Sequence, residues 1–305
     1  MTDQAEKLRQ IVKSLKEQRL SAENAVAPRI VTVTSGKGGV GKTNFTINFA
    51  IALSELGQRV IIIDADFGLA NVDVMLGIVP RYDLSYVIRQ EKTIEQVTSD
   101  GPGGIKFLSG GAGLWELVNI NPEKLESLIQ SLDILEKSYD IILIDTGAGI
   151  SDKVIRMVLA ANETILITTP EPTSITDAYV LAKMSLAINK ATRFRLIINK
   201  AESRQEAELM LSKFTGVVRK FLNTEIEAMG YILYDASVGR SIKEQMPYVL
   251  GYPKSLAARQ IKDIARLFIK VEENQVIIRR GLRGYIQVLA GLWNVRREFV
   301  SKGYK

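Results

Sequence analysis

The 305-residue sequence contains no cysteine and no histidine. Their absence removes thiol nucleophiles, disulfides, Ser-His-Asp triads, zinc centres and thiolate-held clusters from consideration. Aromatic residues make up only 7% of the chain, and no apolar run approaches the roughly 18 residues of a membrane-spanning helix. The first residues include Asp3, Glu6 and Lys7 and lack the pattern of a secretory leader, so an intracellular protein is expected. Most of the chain also lacks a charge excess. The net charge is +6, and Val276–Lys305 carries all of it, with Arg279, Arg280, Arg283, Arg296, Arg297, Lys302 and Lys305 against Glu298 alone.

What is present is a phosphate-binding loop. Residues 36 to 43 read Gly36-Lys37-Gly38-Gly39-Val40-Gly41-Lys42-Thr43, followed by Asn44, and fit G-x-x-x-x-G-K-[ST]. Glycines let backbone N–H groups curl around phosphates, Lys42 is placed to reach the β- and γ-phosphates, and the Thr43 hydroxyl suits Mg²⁺. The apolar run Arg29–Ser35 before the loop predicts a buried strand. Ile47, Ala50, Ile51 and Leu56 after it have helical spacing, stopped by Gly57. Strand, loop and helix in this order predict a nucleoside triphosphate site. Two further apolar runs end in acids: Val60–Asp64 leads into Asp64-Ala65-Asp66, and Ile141–Asp145 into Thr146-Gly147-Ala148-Gly149. The alternation continues through expected strands Ile105–Ser109, Thr164–Thr169 and Phe194–Asn199, and helices Pro122–Leu135, Thr176–Ile188 and Gln205–Leu222. That order predicts an α/β fold with a doubly wound, mostly parallel sheet.

An ordinary phosphate loop has no need of the lysine at position 37. With Lys37 included, the loop resembles the deviant Walker A signature of the MinD/ParA class of P-loop ATPases, and the segments around Asp64–Asp73 and Asp145–Gly149 extend the likeness. The resemblance implies ATP and Mg²⁺ as cofactors and hydrolysis to ADP and phosphate. It implies that Thr43, Asp64 and Asp145 serve the metal, that Asp66 orients the attacking water, and that Lys37 reaches across a homodimer interface to the partner's nucleotide. It also makes Asn199 a candidate for reading the base, an ordinary strand-end turn being the alternative, with Asp235–Val238 as a possible second wall. Iron–sulfur members of the class are excluded by the missing cysteines, and tandem members by the single loop.

Two appendages refine the expectation. Residues 1–28 are expected to form a short amphipathic helix and linker, with Ala5, Leu8, Ile11, Val12 and Leu15 on one face. Packing on the parent domain is one use for such a face. The run Asp3-Gln4-Ala5 with Leu8 and Arg9 is similar to the N-terminal motif of the FlhG (YlxH/FleN) family, which implies contact with the GTPase FlhF. Residues 29–270 would form the ATPase domain, and 271–305 a basic amphipathic segment. In that segment Leu282, Tyr285, Ile286, Leu289 and Trp293 share a stripe flanked by arginines, as suits an anionic membrane surface. A final helix docked on the body would show the same pattern, and a nucleic-acid contact is a further alternative, although no specific nucleic acid is expected.

The resemblance thus implies an ATP-dependent dimerising switch that controls the number or placement of bacterial flagella, with flagellar C-ring components as further partners. It would be cytoplasmic and peripheral on the inner membrane face when ATP is bound. The alternatives are a MinD-type division-site ATPase, a ParA-type segregation ATPase and a non-hydrolytic ATP-bound adaptor.

Overall fold

The computed structural model describes residues 27–66, 71–110, 113, 120, 122–272 and 281–301, leaving aside the side chains of 122, 271, 272 and 292–301. The N-terminal motif with Asp3, Gln4, Ala5, Leu8 and Arg9 lies outside the described residues, as does the side chain of Trp293.

The apolar runs form strands β1 (Arg29–Thr34), β2 (Val60–Ala65), β3 (Ser99–Asp100), β4 (Lys106–Ser109), β5 (Ile141–Thr146), β6 (Glu163–Thr168), β7 (Phe194–Ala201) and β8 (Glu227–Leu233). They join in one sheet of order β3-β4-β2-β5-β1-β6-β7-β8. Every described pairing is parallel except that of β3 with β4. Between them lie α1 (Lys42–Glu55), α2 (Asn71–Leu76), α3 (Leu84–Ile88), α4 (Ile94–Val97), α5 (Pro122–Ser138), α6 (Asp152–Ala160), α7 (Pro172–Ile188), α8 (Arg204–Leu222), α9 (Ala236–Lys243), α10 (Tyr248–Gly251), α11 (Leu256–Glu272) and α12 (Gly281–Ser301).

Strand side chains alternate between faces, and here both faces are apolar. Val31, Val33, Ile62 and Leu143 point to one side and pack with Phe45 and Phe49 of α1 and Phe268 of α11. Their neighbours Ile30, Ile61, Ile63, Ile142 and Ile144 point to the other and pack with residues of α3, α5, α6 and α12. Helices on both faces make the doubly wound fold that the sequence predicts. Helix α11 went unread in the sequence although Ala257, Ala258, Ile261, Ile264, Ala265 and Phe268 recur at helical spacing and are all buried.

The basic C-terminal stripe docks on the body. Leu282, Tyr285, Ile286 and Leu289 are 1%, 2%, 4% and 0% exposed and complete the core between the sheet, α5 and α6. In this conformation none of the four is offered to a membrane, which corrects the expectation of a free apolar face. The physical reason is that one apolar stripe serves either environment, and the underside of α5, α6 and the sheet is apolar too. Glu136 of α5 holds the start of α12, its Oε1 accepting the Arg283 N–H at 2.6 Å.

Candidate functional site

Because the strands run parallel, their C-terminal ends share one edge, where loops can build a site. β1 delivers the glycine loop, β2 delivers Asp64 and Asp66, β5 delivers Asp145, and β7 delivers Asn199 and Lys200. These surround a cleft of about 550 Å³ lined by Gly38–Phe45, Asp66, Asn71, Ala148 and Asn199. Its outer part is walled by Met75, Ile232, Leu233, Val238 and Ile242 with Tyr234 at the rim, an apolar slot of the kind that accepts a planar base. Asp235 also lines the cleft, but its carboxylate is committed to the Ser237 N–H at 2.8 Å and the Ala257 N–H at 3.2 Å, tying α9 to α11.

The phosphate end is a compact ionic cluster. Lys42 Nζ stands 2.9 Å from Asp145 Oδ1 and donates to the Thr43 hydroxyl at 3.3 Å. Thr43 Oγ1 donates to Asp145 Oδ2 at 2.7 Å, and Thr46 Oγ1 to Asp145 Oδ1 at the same distance. Asp145 is fully buried, so its charge requires these partners. The loop takes its shape from Gly41, whose φ of 91° is left-handed and whose added Cβ would stand 2.6 Å from Asn199 Nδ2. Across the strand ends, the Gly149 N–H donates to Ser35 O at 3.0 Å and couples the Gly147–Ile150 turn to the loop.

Asp64 lies beside Asp145 in the β2–β5 register. Its carboxylate accepts the N–H groups of Asp66, Asn71 and Val72 at 2.9–3.0 Å. Burial and the nearby Asp145 charge nevertheless raise its pKa to about 6. Two buried carboxylates that repel one another fit a divalent cation, as does the Thr43 hydroxyl, since Mg²⁺ prefers oxygen ligands. Among the described residues no cluster of three acidic side chains could hold a metal unaided, so a cation here would need oxygen ligands from phosphate or water as well. Asp66 lines the cleft close to Gly147 and accepts the Asn71 amide N–H at 3.0 Å.

Two lysines sit on the outer surface of the loop. Lys37 Nζ lies 2.8 Å from Glu171 Oε2 and 2.9 Å from Thr173 Oγ1, on the first turn of α7. Lys200 Nζ donates to Gly39 O at 2.7 Å, and Asn199 Nδ2 donates to Val40 O at 2.7 Å. Glu171, Thr173, Thr46 and Lys200 were missed in the sequence. For Thr46, helical spacing from Lys42 was a usable signal; for Glu171 and Thr173, more than 130 residues from Lys37, there was none.

The fold and this site define a P-loop nucleoside triphosphatase with a second lysine at the start of the loop. The family model for ParA, described as NUBPL iron-transfer P-loop NTPase, matches residues 27–269, although this chain offers no cysteine to hold a cluster. The chain is 40% identical over 238 residues to the antiactivator FleN of Pseudomonas aeruginosa, covering 78% of this chain and 85% of FleN. It is 29% identical over 293 residues to the flagellum site-determining protein YlxH of Helicobacter pylori, covering 95% and 98% respectively. The structure of the septum site-determining protein MinD with Mg-ADP from Pyrococcus horikoshii aligns with a TM-score of 0.63 at 28% identity, over 80% of this chain and 97% of that one. The chain belongs to the FleN/YlxH group of the MinD/ParA family of P-loop ATPases.

Proposed function

We propose that the protein is an ATP-hydrolysing switch that dimerises with ATP and regulates the number or placement of flagella. The observation that carries this reading is the pair of loop lysines: Lys42 points into the cleft, while Lys37 lies outside it on an exposed ion pair with Glu171, from which it would be released to serve a second nucleotide. Thr43, Asp145 and Asp64 would hold Mg²⁺, which would supply positive charge against the charge that develops on the transferring phosphoryl group. Lys42 exchanges Asp145 for the β- and γ-phosphates. Asp66, steadied by Asn71, orients the attacking water, and Lys37 of the partner supplies the last positive charge. Hydrolysis then depends on dimerisation. The flagellar assignment rests on the likeness to FleN and YlxH. The Asp3–Arg9 motif supports the GTPase FlhF as a partner, and flagellar C-ring components are the further candidates.

Membrane attachment follows if α12 exchanges one apolar surface for another. Burying its four side chains in the body stabilises docking by about 1.5–3 kcal/mol each, and a bilayer returns a similar amount. Docking is imperfect. The Tyr285 hydroxyl faces the Thr32 hydroxyl yet has no hydrogen-bond partner among the described residues, and a cavity of about 20 Å³ lies beneath Leu282, Tyr285 and Ile286. Helix α6, against which α12 packs, begins just after the Gly147–Ile150 turn at the nucleotide. ATP-driven movement of that turn would loosen α12, and two released helices per dimer would raise membrane avidity by about 10²–10⁴. No described helix is long and apolar enough to cross a membrane, and attachment at the inner face would be peripheral.

Light scattering tests the switch. With ATP and Mg²⁺ the wild type should become a dimer, and Asp66→Ala should remain one after the wild type has hydrolysed its ATP and separated. A monomer in both proteins overturns the reading. A pull-down from flagellated cells, scored for FlhF and C-ring proteins against MinC, separates a flagellar from a division-site role.

A further inference from the structure

Lys37 is held by a residue that the phosphate chemistry does not require. Its ammonium donates to Glu171 Oε2 at 2.8 Å and Thr173 Oγ1 at 2.9 Å. Glu171 is the N-cap residue of α7, and Thr173 lies in that helix's first turn. A helix N-terminus carries partial positive charge and disfavours a cation, so the lysine stays there because of the Glu171 carboxylate. The distance between the two anchors is fixed by backbone. Gly36 packs on α7 so tightly that a Cβ on it would stand 2.3–2.6 Å from main-chain atoms of Asp177 and Ala178. Loop and helix are therefore one rigid unit, and Lys37 reaches Glu171 without adjustment of either.

The contact is also easily broken. Lys37 is 39% exposed and Glu171 63%, and exposed ion pairs of this kind shift an equilibrium by only about 1.4- to 5-fold. Glu171 keeps electrostatic support when Lys37 leaves, because Lys200 also favours its charged form, and Lys200 remains anchored on Gly39 O.

We propose that Glu171 is a positioning residue that parks the loop lysine: it holds Lys37 away from the dimer face and sets how readily that lysine reaches the partner's nucleotide. The proposal rests on the dimerising switch described above. Each dimer breaks two such pairs, so restraint by Glu171 opposes association, and removing it favours the dimer.

Glu171→Gln removes the charge and keeps a hydrogen-bond acceptor. Sedimentation equilibrium with ATP and Mg²⁺ in an Asp66→Ala background, where hydrolysis is blocked, should give a dimer dissociation constant about 2- to 30-fold lower for Glu171→Gln. ADP affinity of the monomer should not change, and Glu171→Asp should restore most of the restraint. In a Lys37→Ala background the same substitution should have no effect on dimerisation, which a merely structural role would not produce. An unchanged or weaker dimer, or an equal effect without Lys37, overturns the proposal. A separate measurement on the ADP-bound monomer keeps this distinct from failure of the dimer itself. By carboxyl NMR, Glu171 should titrate below the usual glutamate range and return towards it in Lys37→Ala; no change on removing Lys37 refutes the parked contact whether or not the protein dimerises.

Discussion

Gly36 meets the backbone of Asp177 with room for a hydrogen atom and no more: a Cβ built on it would lie 2.3 Å from the Asp177 carbonyl carbon and 2.6 Å from the Ala178 nitrogen. The atoms in the way are main chain, which no rotamer change can move. Gly36→Ala must therefore push the loop away from α7, at a cost of about 1–3 kcal/mol from overpacking. The displacement falls on the loop that binds phosphate. Calorimetry should show ADP affinity reduced by at least about tenfold with circular dichroism unchanged.

The Asn199 amide occupies a position at which the family resemblance expects base recognition, yet its N–H is committed to Val40 O at 2.7 Å. The residue therefore shapes the loop before any base arrives. Asn199→Ala would leave a buried carbonyl unpaired, which costs about 1–3 kcal/mol. It should weaken ATP and GTP binding by the same factor. If discrimination between the two collapses instead, the amide reads the base.

Legibility in the sequence followed the range of the interaction. The phosphate loop, Asp64, Asp66 and Asp145 were visible because each ends an apolar run, and parallel strands bring run ends to one edge. Glu171 was invisible because nothing local ties a helix cap to a lysine 134 residues away. Asn199 was legible as a strand-end residue, whereas its partner Val40, 159 residues distant, was not. The α12 stripe shows a different limit. One apolar face with a basic edge is what a bilayer and a protein core both select, so only the contacts of Leu282 and Leu289 with the body distinguish them.

At the sheet edge opposite the nucleotide, Glu163 lies between two buried arginines. It pairs with Arg29, with one contact of 2.8 Å, and with Arg195 at 3.0 Å, while the Phe268 ring lies 3.5 Å below the Arg29 guanidinium carbon. Glu163→Gln would remove the counter-charge that Arg29 and Arg195 share, leaving Arg195 with Glu227 at 3.1 Å and the buried Arg29 without its carboxylate. Breaking a buried pair in this way costs about 3–5 kcal/mol. Urea denaturation should show that loss, while ADP affinity stays within about twofold because the cluster begins the strands whose far ends bind nucleotide. A midpoint like that of the wild type would show that solvent reaches the arginines.

Tyr285 allows the docking and membrane environments of α12 to be told apart by sign. Its hydroxyl is buried without a hydrogen-bond partner among the described residues, a penalty of about 1–3 kcal/mol that docking must carry. Tyr285→Phe removes the hydroxyl and keeps the ring. The docked state should gain most of that amount, so the melting temperature should rise and the released helix should become scarcer. Phenylalanine is also the more apolar side chain, so partitioning into lipid by a freely exposed helix would strengthen. The two effects oppose each other, and competition predicts that docking prevails. Sedimentation with anionic liposomes in ATP should therefore show weaker binding for Tyr285→Phe than for the wild type, despite its greater hydrophobicity. Stronger binding at an unchanged melting temperature would mean that α12 is already free of the body when ATP is bound.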